Sequence, residues 1–208
     1  QKEIVAKLAE LGFLGMMVDP EYGGAGLDTM SYVLAMEEIS KVDASVGVIM
    51  SVNNSLVTYG LQKHGTEEQK RTYLVPLAQG EKIGAFCLSE PEAGSDATSQ
   101  RTEAVPTENG WAITGTKNWI TNGSSASVYL VIAQTNRELR HKGITCFIVE
   151  KGAPGFDIGK KEDKLGIRSS DTTSLHFSNT PAGHDQVLWE VGKGFNFAME
   201  TLNGGRIG

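Results

Sequence analysis

Ile83-Gly-Ala-Phe-Cys-Leu-Ser-Glu-Pro-Glu-Ala-Gly-Ser-Asp96 is where this chain changes character. Ile83 to Leu88 is an apolar run too short for a helix and predicts a buried strand. The Pro, Gly and small hydroxyl residues that follow predict a loop. Upstream of it, apolar residues recur at helical steps. Ile4, Val5, Leu8 and Leu11 form one stripe closed by Gly12, and Met30, Val33, Met36 and Ile39 form another, capped by Asp28. A loop with Pro20, Gly23, Gly24 and Gly26 separates them. Residues 44–61 are so poor in charge that they predict a helix buried between others. Thr66 and Gln69 predict a capping box opening a helix that runs to about Gln79 and stops at Gly80. Downstream, the period shortens to two. Asn109-Gly110 after Glu108 is a hairpin signal leading into Trp111-Ala-Ile-Thr114. Val128 to Gln134 and Ile144 to Glu150 predict buried strands, with shorter ones at Phe156–Ile158 and Ser174–Phe177. From Lys193 the helical pattern returns.

The fold class is therefore α+β. An N-terminal all-α domain (1–82) precedes an antiparallel β-barrel or sandwich (83–190), and 191–208 begin a C-terminal helical domain. Several strands without helices between them exclude a doubly wound parallel sheet. The 208 residues carry 19 Lys+Arg against 25 Asp+Glu, a net charge of −6 with no basic block, which argues against nucleic acid or an anionic membrane as the main partner. The longest apolar run, Val128 to Ala133, is far short of a membrane span. Cys87 and Cys146 lie in separate apolar strands and read as buried thiols in a reducing compartment. His64, His141, His176 and His184 have no ligand spacing, so no metal site is expected. No signal sequence opens the chain, and Met199 to Gly208 break off inside a helical pattern. Both ends read as cut.

Two stretches could carry chemistry. Ser89 to Asp96 presents backbone N–H groups and hydroxyls at a sheet edge, which suits an anionic or carbonyl-rich ligand. It also reads as a surface turn in which Asp96 caps its own backbone. In Gly115-Thr-Lys-Asn-Trp-Ile-Thr-Asn-Gly123, strand alternation puts Trp119 and Thr121 on one face, an indole to stack on a planar ring and a hydroxyl to donate to it. The same residues also read as a core tryptophan and a β-former before a turn. Lys117 reads as solvent-facing, and Arg168 with Asp171 as a structural pair.

Together, Phe86-Cys-Leu-Ser-Glu-Pro-Glu-Ala-Gly-Ser-Asp96 and Gly115-Thr-Lys-Asn-Trp-Ile-Thr-Asn122 resemble the acyl-CoA dehydrogenase family of flavoenzymes. Tyr22-Gly-Gly-Ala-Gly-Leu27, His64-Gly65 with Glu67-Glu-Gln-Lys70, Gly80-Glu-Lys82, Lys164-Leu-Gly-Ile-Arg168 and Gly192-Lys-Gly-Phe195 extend the resemblance along most of the chain. The resemblance implies a helical N-terminal domain, a central β domain and a C-terminal four-helix domain that is only begun here.

By position, it implies that Phe86, Cys87, Leu88, Ser89, Gly94 and Ser95 line FAD, with Ser89 at the pyrimidine end and Ser95 at the cofactor or the CoA thioester arm. Trp119, Ile120 and Thr121 would form the second flavin segment, with Trp119 covering the ring and Thr121 bonding N5. Asn203 and Arg206 would lie near CoA. The implied reaction is α,β-dehydrogenation of an acyl-CoA to a trans-2-enoyl-CoA. Its electrons would pass to an electron-transfer flavoprotein, in a homotetramer of the bacterial cytoplasm or mitochondrial matrix.

The catalytic glutamate of most members lies beyond Gly208. In a minority it lies six residues before the Gly-Gly pair, where this chain has Ala198, and Glu200 is about 200° round the helix from the needed direction. No catalytic base is therefore expected in this chain, and a short- or medium-chain type is favoured. Glu92, Trp189 and Asn203 depart from frequent family residues. The other readings are an oxygen-using relative, an acyl-CoA oxidase or flavin monooxygenase, and a non-catalytic binding module of the same fold.

Overall fold

The computed structural model describes residues 2–208. Helix α1 (Lys2–Glu10) ends at Gly12, whose φ of 76° is a left-handed turn. Helix α2 (Thr29–Val42) starts at Asp28, whose carboxylate accepts the Ser31 N–H at 2.8 Å. Helix α3 spans residues 44–64. It runs as α-helix over Ala44–Ser51, widens to a π-helical stretch over Val52–Thr58, and returns to α-helix over Tyr59–His64. Helix α4 spans residues 67–78. It opens with the expected capping box, in which Thr66 and Gln69 satisfy each other's backbone, and carries its own π-helical stretch over Lys70–Leu74. The wide turns had no sequence signal.

The strands are β1 (Gly84–Cys87), β2 (Glu103–Thr107), β3 (Gly110–Thr121), β4 (Val128–Gln134), β5 (Ile144–Glu150), β6 (Phe156–Lys161), β7 (Thr172–Gly183) and β8 (Val187–Leu188), followed by helix α5 (Gly194–Gly205). They form one eight-stranded sheet in the order β6-β7-β3-β2-β4-β5-β8, with β1 on β4. The Asn109-Gly110 hairpin is present, pairing Thr107 with Gly110. The sheet is mostly antiparallel, as expected, but β1 departs from that expectation. It runs parallel to β4, from Gly84↔Val128 to Cys87↔Val131, because the chain between them makes the β2–β3 hairpin and returns in the same direction.

Strand β4 is buried on both faces and shows how the layers meet. Val128, Leu130 and Ile132 face a core shared with the helices and α5, whereas Tyr129, Val131 and Ala133 face a second core enclosed by the sheet. Strand β1 divides the same way, Phe86 to the helices and Cys87 into the sheet. Both thiols are free and wholly buried, and burial pushes each well above the ordinary thiol range.

Two adjacent asparagines inside the π-helical part of α3 join the layers. Asn53 donates to Leu14 O at 2.9 Å and Leu77 O at 3.2 Å, and accepts the Gly84 N–H at 3.0 Å. Asn54 accepts the Met16 N–H at 3.0 Å and donates to Phe13 O at 2.8 Å. Gly84 has no room for a side chain, since a Cβ there would stand 2.5 Å from Val57 Cγ1.

Asn53→Leu keeps the volume and orphans three buried backbone groups. It is expected to cost about 3–5 kcal/mol, read as a shift in the denaturant midpoint.

Candidate functional site

The two suspect stretches are stitched together. As β1 ends, Leu88 O accepts Lys117 Nζ at 3.0 Å, Ser89 O accepts the Asn118 N–H at 2.8 Å, and the Glu90 carboxylate meets Lys117 Nζ at 2.7 Å. Three consecutive loop residues are thus fixed to two consecutive residues of β3. Lys117 is not solvent-facing, as its charge had suggested: its side chain is 0% exposed and that of Glu90 3%. Period-two counting from the buried Ile113 puts Lys117 on the buried face, and that signal could have found it.

Gln100 Oε1 is the ammonium's third acceptor, at 3.1 Å. Glu90 in turn accepts the Arg101 N–H at 2.6 Å and the Thr102 N–H at 3.1 Å. Burial draws the Lys117 pKa below its usual value against the pull of Glu90. Burial opposes ionisation of Glu90 too, but the adjacent ammonium and the backbone N–H groups hold its carboxyl below the usual range.

Beyond this seam β3 is irregular. Its register with β7 shifts between Lys117 and Ile120, and Trp119 takes a left-handed φ of 60°. Plain strand alternation therefore does not describe Trp119 and Thr121. A bulge turns the indole outward, leaving it 64% exposed, while Ile120 is buried and Thr121 half-buried. The core reading of Trp119 fails on that exposure. The turn after Thr121 is held by Asp171, whose backbone O accepts the Asn122 N–H at 3.0 Å and whose carboxylate takes the Ser124 N–H at 2.6 Å and the Ser125 hydroxyl at 2.7 Å. Arg168 pairs with Asp163 at 3.0 Å. Asp96 does cap its own turn, accepting from Thr98 and Ser99, and those hydrogen bonds lower its pKa.

Around the seam, polar groups remain uncommitted. No hydrogen bond among the described residues engages the hydroxyls of Ser89, Ser95 or Thr121, and a Cβ on exposed Gly94 would meet nothing within 4 Å. Free hydroxyls on half-buried Ser89 and Thr121, beside an outward-turned indole, fit a planar, heteroatom-rich ring such as a flavin. Phe86 and Cys87 are core residues behind this surface: Phe86 lies 6.3 Å from the Phe197 ring, and Cys87 faces the sheet interior. Asn203 and Arg206 lie at the C-terminal end of α5. They are bonded to each other at 3.1 Å, and no hydrogen bond among the described residues links them to either stretch. Ala198 is fully buried, and Glu200 is tied to Lys63 and, at 2.8 Å, to His64, so the latter is a structural carboxylate. Sequence reading missed Glu90 and Gln100, which hold the seam.

Residues 1–81 match the acyl-CoA dehydrogenase N-terminal domain and residues 85–180 the middle domain of the same family. The short-chain specific acyl-CoA dehydrogenase of Clostridium acetobutylicum is 50% identical over 206 residues, covering 99% of this chain and 54% of that protein. The butyryl-CoA dehydrogenase structure from Megasphaera elsdenii superposes with a TM-score of 0.96 at 45% identity, over 99% of this chain and 55% of that one. A chain in the structure reporting the electron transferring flavoprotein of Acidaminococcus fermentans gives 0.97 at 46% identity, over 99% and 54%. A Mycobacterium smegmatis glutaryl-CoA dehydrogenase in complex with FADH2 gives 0.92 at 36%, over 99% and 52%. The chain belongs to the acyl-CoA dehydrogenase family and carries its N-terminal and middle domains. It spans about half the length of the curated relatives it matches. Among the described residues no helix is long and apolar enough to cross a membrane.

The Lys63 hydrogen bond, with His64 second, lowers the Glu200 pKa. The stability Glu200 contributes is therefore present above the ordinary carboxylate value and lost as pH falls through its lowered folded value. Wild type should be more stable than Glu200→Gln at neutral pH, with the two thermal midpoints converging in acid. Trp119→Ala, at an exposed position, should leave the apoprotein's stability within about 0.5 kcal/mol of wild type.

Proposed function

We propose that this chain is the flavin-binding portion of an FAD-dependent acyl-CoA dehydrogenase acting on short-chain acyl-CoA thioesters. Its product would be the trans-2-enoyl-CoA, and its electrons would pass to an electron-transfer flavoprotein. One observation carries the reading: the Asn118 N–H to Ser89 O bond sets the free Ser89 hydroxyl beside a strand that turns Trp119 outward. The identity with short-chain relatives, 50% over 206 residues, supports the substrate class. The expected division into 1–82, 83–190 and 191–208 goes with this proposal, as does a homo-oligomer for the whole protein.

FAD, when bound, supplies the acceptor for the hydride from the substrate's β-carbon. Ser89, with the N–H groups of the 89–95 loop, would hold the pyrimidine edge, where donors fixed in place stabilise negative charge without reorganising. Trp119 would cover the ring and keep water from it. Thr121 would hydrogen-bond N5, and its backbone is held for this by β7 on one side and by the Asp171-anchored turn behind it. Ser95 would reach the cofactor or the thioester arm, and Asn203 and Arg206 would serve CoA. Neither Ala198 nor Glu200 takes the α-proton, so that base belongs to another part of the protein.

The test is the visible spectrum of the full-length protein under anaerobic addition of butyryl-CoA. Bleaching of a flavin band is expected, and a flavin that stays oxidised with butyryl-CoA would overturn the short-chain assignment. Rapid reoxidation by air with no protein acceptor would point instead to an oxidase. Thr121→Val, which removes the hydroxyl and keeps the shape, should slow the bleaching about tenfold to a hundredfold, measured by stopped flow.

A further inference from the structure

Glu90 and Lys117 form a fully buried ion pair that no reaction step uses. An isolated buried pair adds little to stability, since burial costs each ion its hydration and apolar residues of the same volume often do as well. What such a pair supplies is direction. All three donors of the Lys117 ammonium are engaged, to Glu90 Oε1 at 2.7 Å, Leu88 O at 3.0 Å and Gln100 Oε1 at 3.1 Å. The Glu90 carboxylate adds the Arg101 and Thr102 N–H groups, so one ammonium fixes the residues on either side of Ser89 and the chain that leaves the loop. Asn118 N–H holds Ser89 itself, and the next residue along the strand is the outward-turned Trp119. Within this clamp the Ser89 backbone is committed and its hydroxyl is free.

We propose that the Glu90–Lys117 pair, completed by Gln100, positions the flavin by fixing the spacing between the Ser89 loop and the Trp119–Thr121 segment. The pair touches neither cofactor nor substrate and acts through Ser89 and Trp119. The proposal rests on the flavoenzyme reading above, and it goes further by assigning the alignment of two flavin-facing segments to one buried charge pair. Gln100 Nε2 is itself buried without a partner, so Gln100 holds its place in the cluster through its acceptor oxygen alone.

The test compares full-length wild type with Glu90→Gln and Gln100→Leu. Glu90→Gln keeps shape and acceptor but removes the charge. Gln100→Leu removes one acceptor together with the unpartnered amide N–H group, so it should fold even if the first variant does not. FAD affinity of the apoprotein, the visible circular dichroism of bound flavin and the flavin's reduction potential are measured in each, with far-ultraviolet dichroism as the folding check. Glu90→Gln is expected to bind FAD at least tenfold more weakly, with changed visible dichroism and a shifted potential; Gln100→Leu should move the same quantities less and in the same direction. Folded variants with wild-type dichroism and potential would overturn the proposal, whatever their melting temperatures, since a merely structural pair would change stability alone. Wild type that takes up no FAD would instead overturn the flavoenzyme reading itself.

Discussion

The fold depends on two asparagine side chains placed where a helix widens. A buried backbone N–H or C=O must find a partner, and the junction between a helical layer and a sheet is where the regular ladders give out. Asn53 and Asn54 supply partners there for four segments: the loop at Phe13–Met16, the turn at Met50, the end of α4 at Leu77, and the first residue of β1. The π-helical turn sets two consecutive side chains to serve different neighbours. Because β1 begins at one of these bonds, its register on β4 and the place where the Ser89 loop leaves the sheet follow from it.

From that fixed start, the site is built by neighbouring backbone more than by its own side chains. Ser89 is bounded by Leu88 and Glu90, both held by Lys117, and Thr121 by a turn anchored on Asp171. The Ser89 and Thr121 hydroxyls that would face a flavin are free, whereas the Lys117 ammonium and the Glu90 and Asp171 carboxylates behind them are engaged. This division is the arrangement that a preorganised site requires, since donors already fixed need not move as charge develops.

Much of this was legible in the sequence, and particular residues show why. Val128–Gln134 and Ile144–Glu150 were readable because a strand buried on both faces is apolar throughout. Asp28, Thr66 and Asn109-Gly110 were readable because caps and tight turns demand particular side chains. The parallel seat of β1 was not, since pairing direction is set by where the intervening chain returns. Trp119's exposure was hidden by a bulge, which adds a residue that alternation cannot count. Lys117 misled because charge ordinarily signals solvent, and its partner Glu90 is distant in sequence. The motif stretches themselves stood out because Pro, Gly and small hydroxyl residues follow a buried strand.

The parallel seat of β1 also makes the site depend on contacts distant in sequence. Gly84–Cys87 reach their partners Val128–Val131 across the whole β2–β3 hairpin. Contacts so distant in sequence must meet their loop-closure entropy before they return any stabilisation, and topologies built on them fold slowly. The Ser89 loop hangs from the end of that strand, so its place is set by a pairing between residues far apart in the chain and not by local structure.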